Sequence, residues 1–225
     1  MHIEPGVVEG AKMALGAATG AGALALTAKL SVESLRDGGL ASLASRSLIT
    51  TGAVFSFFQV LPHHAVGVSE VHLILGSTLF LLFGRAPAMI GLAAGLLLQG
   101  LFFAPTDLPQ YGINVTTLLV PLYAMSLLAA RIIPEGTAYK DISYMQALKL
   151  STTFQAGIVS WVAFWALYGQ GFGAENLANV ASFGVAYMSV ILLEPLADLA
   201  ILAAVKTLHR YKDSGLFTPR LFATA

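Results

Sequence analysis

The sequence predicts an all-α, polytopic integral membrane protein that forms a single domain over residues 1–225. Three observations carry this expectation. Charged residues make up 11% of the chain, against roughly 25% in an average soluble domain. Apolar residues make up 56% and gather in continuous runs of about 20, the length at which a helix crosses a hydrocarbon core of about 30 Å. Lys and Arg, finally, are confined almost entirely to alternate connections. The apolar runs do not alternate with polar residues, which excludes a porin-like barrel.

About seven transmembrane helices are expected, near 8–28, 47–62, 65–84, 86–104, 113–133, 148–169 and 180–205. The first is dense in Gly and Ala and includes Gly16-x-x-x-Gly20, a spacing that lets membrane helices approach closely. Lys12 and the small residues near Ala28 also suggest a cleavable leader, but the positive charges after this run favour a retained helix. Residues 29–46 carry Leu30, Val32, Leu35, Leu40 and Leu43 with Arg36 and Arg46, an amphipathic pattern suited to the cytoplasmic interface. The third run holds Glu70 and His72 among apolar residues. The fourth carries Gly91-x-x-x-Gly95, for internal packing or a partner helix, and Gln99. The fifth opens with Asn114 and Thr117 one turn apart. Trp161, Trp165 and Tyr168 recur at helical spacing in the sixth and read as core or interface aromatics. In the seventh, Glu194 and Asp198 are i,i+4 and share a face; a structural pair or a partner contact is preferred over a proton relay.

Lys29, Arg36, Arg46, Arg85, Arg131, Lys140, Lys149, Lys206, Arg210, Lys212 and Arg220 all fall on one set of connections, with Lys12 as the exception. The other set (62–65, 104–112, 170–179) has no Lys or Arg. The positive-inside rule then places the N-terminus outside and the C-terminus inside the cell membrane, with 206–225 as a basic cytoplasmic tail. A formal net charge of zero points to no nucleic-acid partner. The absence of cysteine excludes disulfides, cysteine-zinc sites and iron–sulfur clusters. No Gly-rich Lys-Ser/Thr phosphate loop is present, so any ATPase driving this chain is a separate protein.

Candidate metal-ligating residues gather on the outer side. The amine of Met1, the amide of His2 and its imidazole Nδ1 have the spacing to close fused chelate rings around one ion, and an all-nitrogen plane favours Cu(II) or Ni(II). His63, His64, Glu70 and His72 lie within ten residues. On a helix His64 shares a face with Gly67, whereas Glu70 and His72 point elsewhere, so the four are not expected to form one site. Gln99 and Asn114 are amides at membrane depth that need partners, either as supports for an imidazole or as interhelical hydrogen bonds.

Met1-His2-Ile3, His64-x-x-Gly67 with Gly76 beyond it, Gln99 and Gly112-x-Asn114 occur in one order over roughly residues 1–125. In these motifs the chain resembles the cobalt/nickel substrate-capture (S) subunit of energy-coupling-factor (ECF) transporters, the CbiM/NikM type. The resemblance implies a planar nitrogen site for Co(II) or Ni(II) as the transported substrate. Its donors would be Met1, His2 and His64, with residues 1–7 as the chelating segment and Asn114 in support. A residue added before Met1 would break that register. Implied partners are a transmembrane coupling (T) subunit, ABC-type ATPase subunits and a small accessory membrane subunit. The chain departs from the family in carrying His63, Glu70 and His72 where the family is mostly apolar, and Ala104-Pro105-Thr106-Asp107 where it has Ala-His-Gly-Gly. Two alternatives stay open. One is an intramembrane metal-dependent enzyme built on His63, His64, Glu70 and His72. The other is a stand-alone secondary transporter with Glu194 and Asp198 as proton carriers. An import component, not an enzyme, is the preferred reading.

Overall fold

The computed structural model describes residues 2–210. Its helices are α1 (Met13–Gln59), α2 (Gly76–Phe83), α3 (Arg85–Phe102), α4 (Tyr111–Ile132), α5 (Tyr144–Gln170) and α6 (Ala174–Arg210). A hairpin of β1 (His64–Val66) and β2 (Ser69–Val71) lies between α1 and α2. Among the described residues, five helical stretches are long and apolar enough to cross a membrane: Gly10–Gln59, Arg85–Phe102, Pro105–Ile132, Tyr144–Gln170 and Ala174–Arg210.

The longest stretch is not one rod. Gly39 sits at φ 75°, ψ 169°, a conformation that interrupts the helix and that a side chain would strain. The two arms, 13–38 and 40–59, take up the first two expected spans. The amphipathic segment 29–46 is therefore part of α1 on both sides of this break, not a separate interfacial helix.

The third expected span is corrected. Residues 65–84 do not form a transmembrane helix. Val66, Val68 and Val71 are β-branched and suit strands. Gly67 has φ 61° at the first turn position, and Val68 does not have positive φ, as a two-residue II′ hairpin turn requires. After the hairpin comes a short non-helical stretch, then an α2 of only 8 residues, about 12 Å long. Residues 73–83 still travel from the His2 end of the bundle to the end where α1 breaks. There Arg46 Nη1 donates to Phe83 O at 3.0 Å, and Gly38, Arg46, Gly84 and Arg85 line one cleft.

Non-helical backbone at membrane depth needs protein partners for its polar groups. The buried Glu194 on α6 provides them. Its Oε1 accepts from Ile74 N and from Leu75 N, the latter at 2.6 Å. One turn further along α6, Asp198 accepts the hydroxyls of Ser77 and Thr78. Both carboxylates thus anchor the start of α2, where unpaired N–H groups and the helix dipole favour negative charge.

Both small-residue pairs are used inside the protein. A Cβ at Gly20 would lie 2.7 Å from Gly112 Cα, and one at Gly95 would lie 2.6 Å from Val54 Cγ1. The first arm of α1 therefore packs closely on α4, and the second on α3. Trp165, Tyr187, Phe58, Phe154 and Phe183 fill the buried interior, and Trp161 Nε1 donates to Thr116 Oγ1 at 3.1 Å. The tail beyond Arg210 lies outside the described residues.

Candidate metal centre

The site begins with the second residue of the chain. Residues 2–4 run antiparallel to β2: Glu70 N donates to His2 O at 2.9 Å, and Glu4 N donates to Val68 O at 3.1 Å. Ser69 Oγ also donates to His2 O at 2.8 Å. Ile3 N donates to Asn114 Oδ1 at 2.8 Å, and the Ile3 side chain is fully buried. This end of the chain is therefore stitched to the hairpin and to α4, and the His2 ring points inward with 2% exposure.

Alternation along an extended chain puts residues i and i+2 on one side. Glu70 and His72 therefore converge, where a helix would have pointed them apart. Glu70 Oε2 lies 3.1 Å from His2 Nδ1 and 3.0 Å from His72 Nε2. Asp107, in the turn between α3 and α4, brings Oδ2 to 2.9 Å from the same His2 Nδ1. One ligand atom each from His2, Glu70 and His72 fits within 4.8 Å. Phe58, from the last turn of α1, stacks on the His72 ring at 5.3 Å and meets His2 edge-on at 6.0 Å. A cavity of about 10 Å³ adjoins His2 and Asp107, enough for roughly one water-sized occupant.

These short contacts are not hydrogen bonds. Neither ring nitrogen of His2 or His72 has a hydrogen-bond partner, although both residues are buried. Such orphaned polar atoms are rare in native proteins, and coordination to an ion is one of the few ways to satisfy them. Burial holds the His72 imidazole well below its ordinary 6.5, and the nearby His2 and His63 push the same way. A neutral imidazole keeps a lone pair free for coordination. Burial, the largest single influence, opposes charge on Glu70, but His2, the chain's amino group and His63 together hold the carboxyl below its ordinary 4.5. Glu4 is held above the ordinary value by burial first, then by Glu70 and Asp107. Two imidazoles and a carboxylate within reach of one ion, with Asp107 beside His2, are a donor set for a divalent first-row metal.

The His72 shift has a consequence for stability. The unfolded chain takes up a proton near pH 6.5 that the folded chain refuses, so stability should fall below that pH by up to ~1.4 kcal/mol per unit. Thermal unfolding of the metal-free protein at about pH 7.5 and about pH 5.5 checks the sign, and His72→Phe should flatten the dependence.

The family model described as "cobalt uptake substrate-specific transmembrane region" matches residues 2–211. This chain belongs to that family, CbiM. It is accordingly a multi-pass membrane component of metal uptake, in a family of transport proteins. No curated protein matches the chain. Two solved structures share its fold. One, titled a transition metal transporter, has a TM-score of 0.61 at 16% identity and covers 96% of this chain and 100% of its own. The other, titled a truncated transition metal transporter, has a TM-score of 0.59 at 15% identity, covering 94% and 97%.

In this CbiM-family chain two of the expected ligands, His2 and His64, separate. Met1 lies outside the described residues. His64 is exposed on β1, opposite Val71, so it occupies the face of the hairpin away from the Ala65–Glu70 pair. The later histidine that reaches His2 is His72, with ring centroids 5.1 Å apart. His63 is half-buried beside His72 at 5.0 Å, and its Nδ1 lies 3.1 Å from Leu61 O. Asn114 holds the backbone of Ile3. Gln99 Nε2 donates to Phe58 O at 3.3 Å and so acts one step from the site, through the aromatic wall. Sequence reasoning left Asp107 and Phe58 out of the site. Asp107 carried a signal, as the single acidic residue of the outer turn 104–112.

Proposed function

We propose that this protein is the substrate-capture subunit of an energy-coupling-factor importer for a divalent transition metal, cobalt or nickel. The ion is held at the outer end by His2, Glu70 and His72. The observation that carries this reading is the convergence of the buried His2 and His72 rings, their nitrogens unpaired, on the half-buried Glu70. The role expected of His64 passes to His72, because the hairpin sends the two to different places.

The topology fits the same reading. Residues 73–83 make the third of seven passes, broken rather than helical throughout. With it the chain runs from an outer N-terminus to an inner C-terminus, as the distribution of Lys and Arg requires. The ATPases and the coupling subunit are separate chains that act on the inner side.

The test is uptake. Cells expressing this chain together with the coupling subunit and ATPases are expected to accumulate the metal, and cells lacking the ATPases are not. His2→Ala should abolish accumulation, and elemental analysis of the purified protein should show the corresponding loss of bound metal. Accumulation by the isolated chain under a proton gradient would support the secondary-transporter alternative instead.

A further inference from the structure

At the end of the bundle away from His2, α1 breaks at Gly39, and a cleft of about 380 Å³ opens between its two arms and the start of α3. Two cations, Arg46 and Arg85, and two anions, Glu33 and Asp37, line it. Glu33 and Asp37 are one turn apart on α1, and both are exposed. Among the described residues no ion pair joins these four side chains to one another. Both arginines are fixed by other groups. Arg46 donates from Nε to Ser42 O at 3.2 Å and from Nη1 to Phe83 O at 3.0 Å. Its Nη2 edges the cleft, since a Cβ at Gly38 would lie 3.5 Å from that nitrogen. The half-buried Arg85 guanidinium lies 6.0 Å from the centre of the Tyr123 ring. Gly84 and Arg85 also line a second cleft, of about 300 Å³, whose other walls include Phe80, Leu81, Ala129 and Ile133.

Basic pockets between membrane helices recognise lipid head groups. Here the lining carries both signs in equal number, so its complement is a zwitterion and not an anion. Guanidinium groups match a phosphate in charge and geometry. Two carboxylates match a primary ammonium, which has three N–H donors to share between them. A quaternary ammonium has none. The apolar cleft across Arg85 offers a hydrocarbon chain a surface away from water. We infer that the two clefts bind one phosphatidylethanolamine molecule. Its phosphate rests on Arg46 and Arg85, its ammonium on Glu33 and Asp37, and an acyl chain along the apolar cleft. The continuity of a charged and an apolar cleft across Gly84 and Arg85 favours such an amphiphile over a partner helix.

Native mass spectrometry of the purified full chain tests this, with dioleoyl lipids of ethanolamine, choline or glycerol head group added singly to one detergent. The ethanolamine lipid is expected to bind at least about tenfold more tightly than either of the others. Glu33→Gln combined with Asp37→Asn should lower its binding about tenfold and make the anionic glycerol lipid the tighter ligand. Both side chains are exposed, so this variant keeps the fold. Arg85→Gln should weaken all three lipids, since each carries the phosphate. Free O-phosphoethanolamine should compete at least about tenfold less well than the lipid, because it has no chain to bury. Equal binding of the three lipids, or a preference unchanged in the double variant, would overturn the inference. Competition by the free head group as strong as by the lipid would overturn it in favour of a soluble phosphate ester. Equal lipid binding together with release of a co-purified coupling subunit by the double variant would overturn it in favour of a protein partner. No arm contains metal, so each of these outcomes leaves the capture reading standing, and failure of that reading leaves the lipid site standing.

Discussion

His72→Ala is expected to weaken metal binding by about 100-fold or more, beyond the 10–100-fold typical of residues that merely support a ligand. His64→Ala should leave affinity within about threefold, because an exposed side chain on the far face of the hairpin has nothing to coordinate. The contrast follows from where the imidazoles sit. His72 is 1% exposed, stacked on Phe58 and 3.0 Å from Glu70. Removing its ring takes away a donor and opens a gap against an aromatic wall. His63→Ala should fall between the two, since that ring packs against His72 but is half-buried. Isothermal titration of the four proteins with one metal decides the order. A larger loss at His64 than at His72 would return the later-ligand role to the position expected from the motif.

Glu194→Ala is expected to give the largest loss of stability among single changes outside the metal site. The carboxylate is fully buried and accepts from two consecutive backbone N–H groups, those of Ile74 and Leu75. Each donor left without a partner costs roughly 1–3 kcal/mol, against a total folding stability of about 5–15 kcal/mol for a typical domain. The damage should extend to metal binding, because Ile74 is two residues from His72 and the same stretch of backbone fixes both. Glu194→Gln retains a carbonyl oxygen facing the two donors and should recover most of the stability and affinity that Glu194→Ala loses. Thermal unfolding and metal titration of the two variants check this together. Equal defects in both would mean that the negative charge, not the acceptor, is what α2 requires.

The class of the protein and the identity of its family were legible in the chain because they rest on properties that survive averaging. Hydropathy and the one-sided distribution of Lys and Arg are sums over many residues. Met1-His2-Ile3 and Gly112-x-Asn114 are local patterns that need no knowledge of the fold. The paired glycines were legible as packing surfaces for the same reason, although only the structure decided that Gly91 and Gly95 pack against α1 and not against a partner.

The third span shows why the rest was not. A mean over residues 65–84 is apolar whether the segment is helical or extended, and hydropathy alone does not separate the two. The difference is a change of period from 3.6 to 2, and it moves every side chain. Under the helical period Glu70 and His72 diverge, and the family resemblance makes His64 the partner of His2. Under the extended period Glu70 and His72 converge and His64 turns away.

By itself, then, the sequence determined that this is a membrane protein of the CbiM family and pointed to His2 as a candidate ligand. Only the tertiary structure decided which groups meet His2. Those partners come from a hairpin some seventy residues on and from the turn before α4, and their convergence depends on long-range backbone pairing. Ile3 must pair with Ser69 and reach Asn114 before the His2 ring faces Glu70, His72 and Asp107. No local pattern in the chain encodes that register.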